Sequence, residues 1–376
     1  MHKCILPFLI FTLLTACKQE KKEITVTGSL PATIKYAEGF SVEKNNNLTI
    51  IHITNPWPGA DNTYTYALVE KGTDIKKLDG IDAIVETPIE NIVVTSTTHI
   101  PSLEMLGETN SLIGFPNLNY ISSEKTRQAI NTGNIKELGK NEDINTEVLI
   151  DLSPDAVVGF AVDGNNTTFA TIQKTGIPVL YNADWTETHP LGKAEWIKFF
   201  GALYGKQKEA DSIFNTIEAN YLSAKKIAAQ ATKTPTVLSG AMYKDVWYLP
   251  QGGSWAAQFI ADANGRYLWS DSGGTGSISA NLETVLEKGK EAQYWIGPGQ
   301  FTSLEQLAET HTVYTQFDAF KNKNVYSFTN KKGGTGGVLY YELAPNRPDI
   351  VLKDIIKILH PDLLPGHSLY FFSTLE

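Results

Sequence analysis

Aromatic and cationic side chains follow several predicted strands of the sequence, at the positions where open α/β sheets bind small ligands. The candidate ligand-binding residues that share this placement are His99, Trp185, Trp247, Tyr248, Trp255, Arg266, Tyr340, Tyr341 and Arg347, with Thr97, Thr98, Asn117, Tyr120, Tyr243 and Glu342 as further candidates. Aromatic rings with a few polar groups suit a large, flat or aryl-rich ligand, and an arginine would balance an anionic one. Each aromatic could equally pack in a core. Trp247 is the strongest candidate because it follows Lys244-Asp245, which indicate an exposed turn.

Metal ligation and catalysis have weaker support. The seven histidines are scattered with no two at ligand spacing, so no resident metal or other cofactor is expected. Residues 271–274 (Asp-Ser-Gly-Gly) match a serine-protease phrase, but no Gly-x-Ser-x-Gly elbow is present. The run from Lys331 to Gly337 lacks the ending of a phosphate loop and indicates a flexible loop in a cleft. The sequence therefore predicts a binding protein and not an enzyme. A surface adhesin is disfavoured by the lack of repeats.

The N-terminus has the pattern of an export signal. His2 and Lys3 precede the apolar run Ile5–Leu14, and Leu14-Thr15-Ala16-Cys17 matches a lipobox. We expect residues 1–16 to be removed, Cys17 to be lipidated, and residues 17–23 to form a solvated tether. The alternative is an ordinary cleaved signal followed by an unpaired thiol.

Composition limits the remaining classes. The chain has 376 residues, of which 42% are hydrophobic, enough for two ordinary cores. A formal net charge of −9 argues against a nucleic-acid partner. After the signal, no apolar run approaches the roughly 20 residues that a membrane-spanning helix requires. We expect an extracytoplasmic protein anchored by lipid.

The chain divides into segments of different hydrophobic pattern. Residues 24–90 contain two β-branched and aromatic runs, Leu48–Ile53 and Tyr64–Val69, which predict a hairpin in a β-rich extension. Residues 91–190 and 235–376 alternate short apolar runs with helical patterns, as in parallel sheets covered by helices. Residues 191–234 have a helical pattern throughout. The predicted fold class is α/β, with two open-sheet lobes joined by a single long helix. Because a helical connection resists bending, the lobes should close only slightly around a ligand.

One short phrase occurs in both lobes. Asn145-Thr146-Glu147 and Asn281-Leu282-Glu283 each begin a short amphipathic helix that leads into a buried strand. An asparagine cap with an acidic residue in the first turn favours helix initiation, so either glutamate alone could be structural. The matching position in the two lobes favours a shared function.

From Asn91 to about Pro361 the sequence resembles the helical-spine class of periplasmic substrate-binding proteins, which serve ABC importers of ferric siderophores, haem and cobalamin. The resemblance rests on the order and spacing of several motifs. They are Thr95-Ser96-Thr97-Thr98, Leu106-Gly107 to Ile113-Gly114, the two Asn-x-Glu phrases, Gly205-Lys206, and Gly253-Ser254-Trp255 to Ala263-Asn264-Gly265. Pro101 departs from the family, since many members have an acidic residue there, and Glu104 lies one turn later.

This resemblance implies a ligand and partners. The ligand would be a metal chelate, first a ferric siderophore, with cobalamin or haem as alternatives. The partners would be an ABC permease dimer and its ATPase, with Glu147 and Glu283 docking on permease arginines. The location would be the periplasm, with the lipid in the inner or outer membrane. The long extension, Arg347-Pro348-Asp349 and the ending from His360 to Pro365 resemble a Bacteroidetes-type lipoprotein subgroup labelled as iron-complex transport. A chelate receptor without an ABC partner stays open.

Overall fold

The computed structural model describes residues 30–31, 33–45, 48–73 and 79–376. The predicted signal peptide, Cys17 and the tether lie outside the described residues, so these remain predictions. Within the described ranges, no helix is both long and apolar enough to cross a membrane.

The N-terminal extension forms one five-stranded sheet. Its strands are β1 Leu30–Pro31, β2 Phe40–Asn45, β3 Leu48–Ile53, β4 Tyr64–Glu70 and β5 Ala83–Thr87, in that spatial order. All neighbours pair antiparallel except β4 and β5, which are parallel. The predicted hairpin of residues 48–53 and 64–69 is confirmed as β3 and β4.

Two buried carboxylates attach this extension to the rest of the chain. Glu195 accepts hydrogen bonds from the backbone N–H groups of residues 35–37 at 2.7–3.0 Å. Glu187 accepts from those of residues 38 and 39 at 2.9–3.1 Å. Five successive backbone donors are thus satisfied by two side chains, which compensates the desolvation of both groups. The extension and the lobes share one continuous hydrophobic core.

The first lobe is a parallel sheet covered by helices. Its elements are β6 Ile92–Val94, α1 Ile100–Met105, β7 Leu112–Phe115, α2 Glu124–Asn131, β8 Lys136–Glu137, β9 Gly139–Lys140, β10 Asp143–Ile144, α3 Thr146–Leu152, β11 Ala156–Gly159, α4 Thr167–Lys174 and β12 Val179–Tyr181. The sheet order is β12-β11-β6-β7-β8, and each of these pairs is parallel. Ile92 and Val94 pack into the main core while Val93 packs into a second cluster, as expected for a strand buried on both faces.

Three helices carry the chain from the first lobe to the second. They are α5 Pro190–Glu195, α6 Ile197–Leu203 and α7 Gln207–Ala228. At 1.5 Å per residue the 22 residues of α7 span about 33 Å. Phe214, Ile217 and Tyr221 recur at helical spacing on its buried face. The predicted long connecting helix is confirmed as α7.

The second lobe has a sheet of the same kind and a smaller one beside it. Its elements are β13 Thr236–Ser239, β14 Ala241–Tyr243, β15 Val246–Pro250, α8 Trp255–Asp262, β16 Arg266–Tyr267, β17 Ser277–Ala280, α9 Leu282–Gly289, β18 Tyr294–Ile296, α10 Leu304–Thr310, α11 Asp318–Lys321, β19 Val325–Ser327, α12 Leu339–Leu343, α13 Pro348–Leu359 and β20 Ser373–Thr374. The main sheet has the order β16-β13-β18-β19-β20, parallel except for β20. The antiparallel sheet β14-β15-β17 was not predicted from the sequence.

Candidate ligand-binding site

A deep cavity of about 840 Å³ opens in the second lobe. It lies at the carboxyl ends of β13 and β18, which end at Ser239 and Ile296, and of β19, which is followed by Phe328. The small antiparallel sheet and α8 form further walls. The aromatic side chains that line it are Tyr243, Tyr248, Trp255, Phe259, Phe301, Phe328, Tyr340, Tyr341 and Phe372. This volume suits an organic ligand and greatly exceeds what a bare ion needs.

Glycine backbone conformations let the chain turn around the cavity. Gly240 joins β13 to β14 with φ +75°, and a Cβ there would overlap the carbonyl oxygen of Tyr248. Gly297 follows β18 with φ +70°. Only glycine adopts such angles without strain, so the close approach of β13 and β15 depends on Gly240.

Four predicted ligand contacts line this cavity: Tyr248, Trp255, Tyr340 and Tyr341. Tyr248 and Tyr341 are 43% and 50% exposed, as is suitable for residues at the mouth of a site. Trp255 lies deeper, with its ring 5.7 Å from that of Tyr340. Tyr340 in turn stacks on Phe328 at 4.3 Å. The further candidate Tyr243 also lines the cavity and is exposed.

The prediction that Trp247 lies in an exposed turn is wrong. The turn at residues 244–245 exists, but Trp247 lies in β15 and its side chain is 0% exposed. Its ring stacks on Trp295 at 5.5 Å, and its Nε1 donates to the carbonyl oxygen of Ser239 at 3.1 Å. Because side chains alternate along a strand, Trp247 points into the core and its neighbour Tyr248 points to the cavity.

Neither predicted arginine contacts the cavity. Arg266 pairs with Thr236 at the start of β13, and therefore lies at the amino edge of the sheet, opposite the cavity. Arg347 makes two hydrogen bonds of 2.9 Å to Asp349, which raise the pKa of Arg347 and neutralise its charge locally. The prediction that these arginines bind the ligand is not supported by their positions.

The first-lobe candidates also lie outside the cavity lining: His99, Trp185, Thr97, Thr98, Asn117 and Tyr120. His99 is fully buried against Phe200, and burial lowers its pKa. A ligand cannot reach His99 without opening the core, so its predicted ligand contact is contradicted in this conformation. Trp185 is 38% exposed in the turn after β12, and its role as a ligand contact stays a prediction.

Sequence reasoning missed the part of the lining contributed by Phe328, Ile355 and Phe372. Phe328 directly follows β19, so the rule that ligands bind beyond the carboxyl ends of strands could have identified it. Phe372 comes from the chain end beside β20, and no pattern in the sequence places it here.

A segment after β19 holds the second lobe against the first. Glu342 of α12 accepts hydrogen bonds from the backbone N–H groups of Ser122 and Ser123 at 2.6 and 2.9 Å. Asn346 accepts from Ser102 Oγ and donates to the carbonyl oxygen of Thr98, at 2.8 and 2.7 Å. These buried polar contacts cross between the lobes. We call Glu342 and Asn346 with these partners the inter-lobe latch.

The glycine-rich segment of residues 331–337 belongs to the same contact region. Thr335 Oγ1 donates to the carbonyl oxygen of Asn119 at 2.8 Å. A Cβ on Gly333 would lie 2.6 Å from Ser122, and one on Gly337 would lie 2.6 Å from the carbonyl oxygen of Tyr120. The glycines therefore allow backbone-to-backbone packing of the two lobes.

Protonation of Glu342 should couple stability to pH. Burial, and secondarily Glu104, raise the pKa of Glu342 to about 7, although its two backbone hydrogen bonds act in the opposite direction. Because the folded pKa exceeds the ordinary value of 4.5, this group's stabilising contribution is present below pH 4.5 and is lost as pH rises through 7. We therefore expect titration of Glu342 to lower the free energy of unfolding of the wild type by about 3 kcal/mol between pH 4.5 and 8. The Glu342→Gln variant should not show this decrease.

Urea denaturation across this pH range measures the effect. The control is Glu287→Gln, which makes the same change on an exposed position of α9. Identical pH profiles for the wild type and Glu342→Gln would show that Glu342 does not titrate in this range.

The two repeated glutamates lie on exposed helix starts. Asn145 Oδ1 accepts from Val148 N at 3.1 Å, and Asn281 Oδ1 accepts from Thr284 N at 2.8 Å, so both predicted caps are confirmed. Glu147 and Glu283 occupy the first turns of α3 and α9 and are exposed. A helix that connects parallel strands runs back across the sheet, so both helices begin at the carboxyl edges. The two carboxylates thus lie on the same side of their sheets as the ligand-binding edge.

No group of three or more metal-binding side chains occurs among the residues with described positions. The cavity lining contains no histidine, cysteine or carboxylate within that part of the chain. The site can therefore hold an organic molecule or a complete chelate through its rings and neutral polar groups.

Known proteins resemble this chain in sequence and in fold. An uncharacterized lipoprotein of Methanocaldococcus jannaschii is 26% identical, over 98% of this chain and 94% of that protein. A possible iron-binding, periplasmic solute-binding protein of Staphylococcus epidermidis has a TM-score of 0.58 at 16% identity, covering 73% of this chain and 100% of that one. The triscatecholate siderophore binding protein of Bacillus subtilis has a TM-score of 0.54 at 15% identity, covering 74% and 95%. The family described as "Periplasmic binding protein" matches residues 92–331, which comprise the first lobe, α7 and the second lobe as far as β19, and the chain belongs to that family.

Proposed function

We propose that the protein is the substrate-binding lipoprotein of an ABC importer, which captures a ferric siderophore and delivers it to the permease. The observation that carries this proposal is the aromatic cavity of about 840 Å³ at the carboxyl edge of the second-lobe sheet. Family membership supports the role in solute capture, and the cavity volume supports a bulky ligand. Cobalamin or haem is the alternative ligand, since both are also bulky and ring-rich.

The helical connection supports a delivery mechanism with small motions. α7 packs along α6 and α13, so hinge bending between the lobes would have to disrupt these contacts. The latch between Glu342 and residues 122–123 adds a second connection. In the proposed cycle the lobes move only slightly when the ligand binds. The permease then recognises the ligand-bound protein by contacts with the protein's surface.

Glu147 and Glu283 would provide that recognition. One exposed carboxylate on each lobe matches a permease dimer that presents one cationic pocket per subunit. Pairs of this kind fix orientation and accelerate encounter through charge complementarity. Neither side chain lines the cavity, so docking and ligand binding should be separable by mutation.

The double variant Glu147→Arg/Glu283→Arg should abolish uptake and leave ligand affinity unchanged. The test is uptake of an isotopically labelled ferric chelate by a strain that lacks the protein, complemented with the wild type or the variant. The matched control is Glu124→Arg/Glu305→Arg, which reverses one exposed first-turn glutamate in each lobe, in α2 and α10. Normal uptake by the Glu147/Glu283 variant would refute the docking role. Unimpaired uptake by the strain without the protein would refute the importer function.

A further inference from the structure

We propose that this cavity selects an electrically neutral ligand body, such as a ferric chelate whose donor groups cancel the charge of the metal. The inference rests on the proposed function and adds the charge class of the ligand. It excludes polyanionic chelates as the preferred ligand. The observation behind it is the distribution of charge around the cavity.

The lining carries almost no formal charge. Lys244 is the one ionisable cation among the lining residues that the structure describes, and no carboxylate accompanies it. Lys244 is exposed in the β14–β15 turn, and its Nζ lies 5.5 Å from the ring centroid of Tyr243. It therefore belongs to the rim of the cavity. Deeper in, burial raises the pKa of Tyr340, which keeps that phenol neutral.

Three other cations that could balance an anionic ligand, Lys193, Arg266 and Arg347, are not among the lining residues. Arg266 lies at the opposite edge of the sheet, and Arg347 is paired with Asp349. Lys193 lies 5.2 Å from the Trp255 ring centroid, but its Nζ donates to the carbonyl oxygens of Asp184 and Trp185 at 3.0 Å. The two arginines that sequence reasoning assigned to charge balance therefore lie away from the cavity, and Lys193 already donates to two backbone carbonyl oxygens.

The physical consequence is selectivity by desolvation. Moving an anion from water into an apolar site without a partner is strongly unfavourable, whereas a neutral body loses far less hydration. Aromatic faces contribute contact area to either ligand. Neutral donors and acceptors that line the cavity, such as Thr275, Ser277 and Gln300, can hydrogen-bond a neutral ligand without a charge penalty.

Two ferric chelates of similar size, one neutral and one anionic, test the inference. Ferrichrome is neutral because three hydroxamates cancel the charge of ferric iron, and ferric enterobactin is a trianionic tricatecholate. We expect the full-length protein, purified in detergent, to bind ferrichrome in isothermal titration calorimetry at least about 100-fold more tightly than ferric enterobactin.

The other outcomes distinguish failure of the neutral-ligand inference from failure of the proposed function. Equal or tighter binding of ferric enterobactin would overturn the neutral-ligand inference and leave the proposed function standing. Failure to bind ferrichrome, ferric enterobactin and cyanocobalamin would overturn both the inference and the chelate class of the proposed function.

Discussion

Ala256→Trp is expected to weaken ligand binding by at least about 100-fold, or about 3 kcal/mol, while the protein stays folded. Ala256 lies in the first turn of α8 and lines the cavity. An indole at this position occupies volume that the ligand needs. Because Ala256 is partly exposed, the new side chain can enter the open cavity without displacing core residues. Isothermal titration with ferrichrome and cyanocobalamin measures the loss.

The matched control is Ala170→Trp, which makes the same change at an exposed position of α4 in the first lobe. It should retain the wild-type affinity. Urea midpoints close to that of the wild type would establish that both variants are folded. Wild-type affinity in a folded Ala256→Trp variant would place the ligand outside this cavity.

Trp247→Ala is expected to lower the free energy of unfolding by about 3–5 kcal/mol. The indole is fully buried among Trp295, Tyr314 and Phe317, with ring centroids 5.5–5.6 Å away. Its removal leaves a cavity and deprives the Ser239 carbonyl oxygen of a donor. Urea denaturation followed by circular dichroism measures the change.

The neighbouring residue gives the matched comparison. Tyr248→Ala removes a ring from the other face of β15, where the side chain is half exposed and lines the cavity. It should cost little stability but weaken ligand binding by about 1–3 kcal/mol. Adjacent substitutions would then separate a structural aromatic from a ligand-binding one. If Trp247→Ala is as stable as the wild type, the packing described for β15 is wrong.

Trp247 and Tyr248 also show which structural features could be predicted from the sequence and which could not. Lys244-Asp245 correctly indicated a turn, but Trp247 was assigned to that turn and not to the strand that follows it. The period of two then required one ring to point inward and the next outward. Which of them is buried depends on the packing of β15 against the main sheet, and the residues that pair between β15 and β17 lie 27 to 33 positions apart in the sequence, from Pro250 with Ser277 to Trp247 with Ala280. A local pattern does not contain that information.

Features with local causes were predicted well. The caps Asn145 and Asn281, the parallel strands of the first lobe and the long helix α7 each follow from short-range patterns, and the structure confirms them. The prediction that Arg266 binds the ligand was wrong for a different reason. Its chemistry suited an anionic ligand, but its strand pairs with the start of β13 and so directs it to the wrong edge. The rule that ligands bind at carboxyl ends applies only after strand direction and bounds are known.

The most direct measurement is a crystal structure of the protein soaked or co-crystallised with ferrichrome. We expect chelate density in the second-lobe cavity, in contact with Tyr248, Trp255 and Tyr341, with no arginine within hydrogen-bonding distance. Chelate density outside that cavity, held by charged side chains, would contradict both the site and the ligand class proposed for this protein.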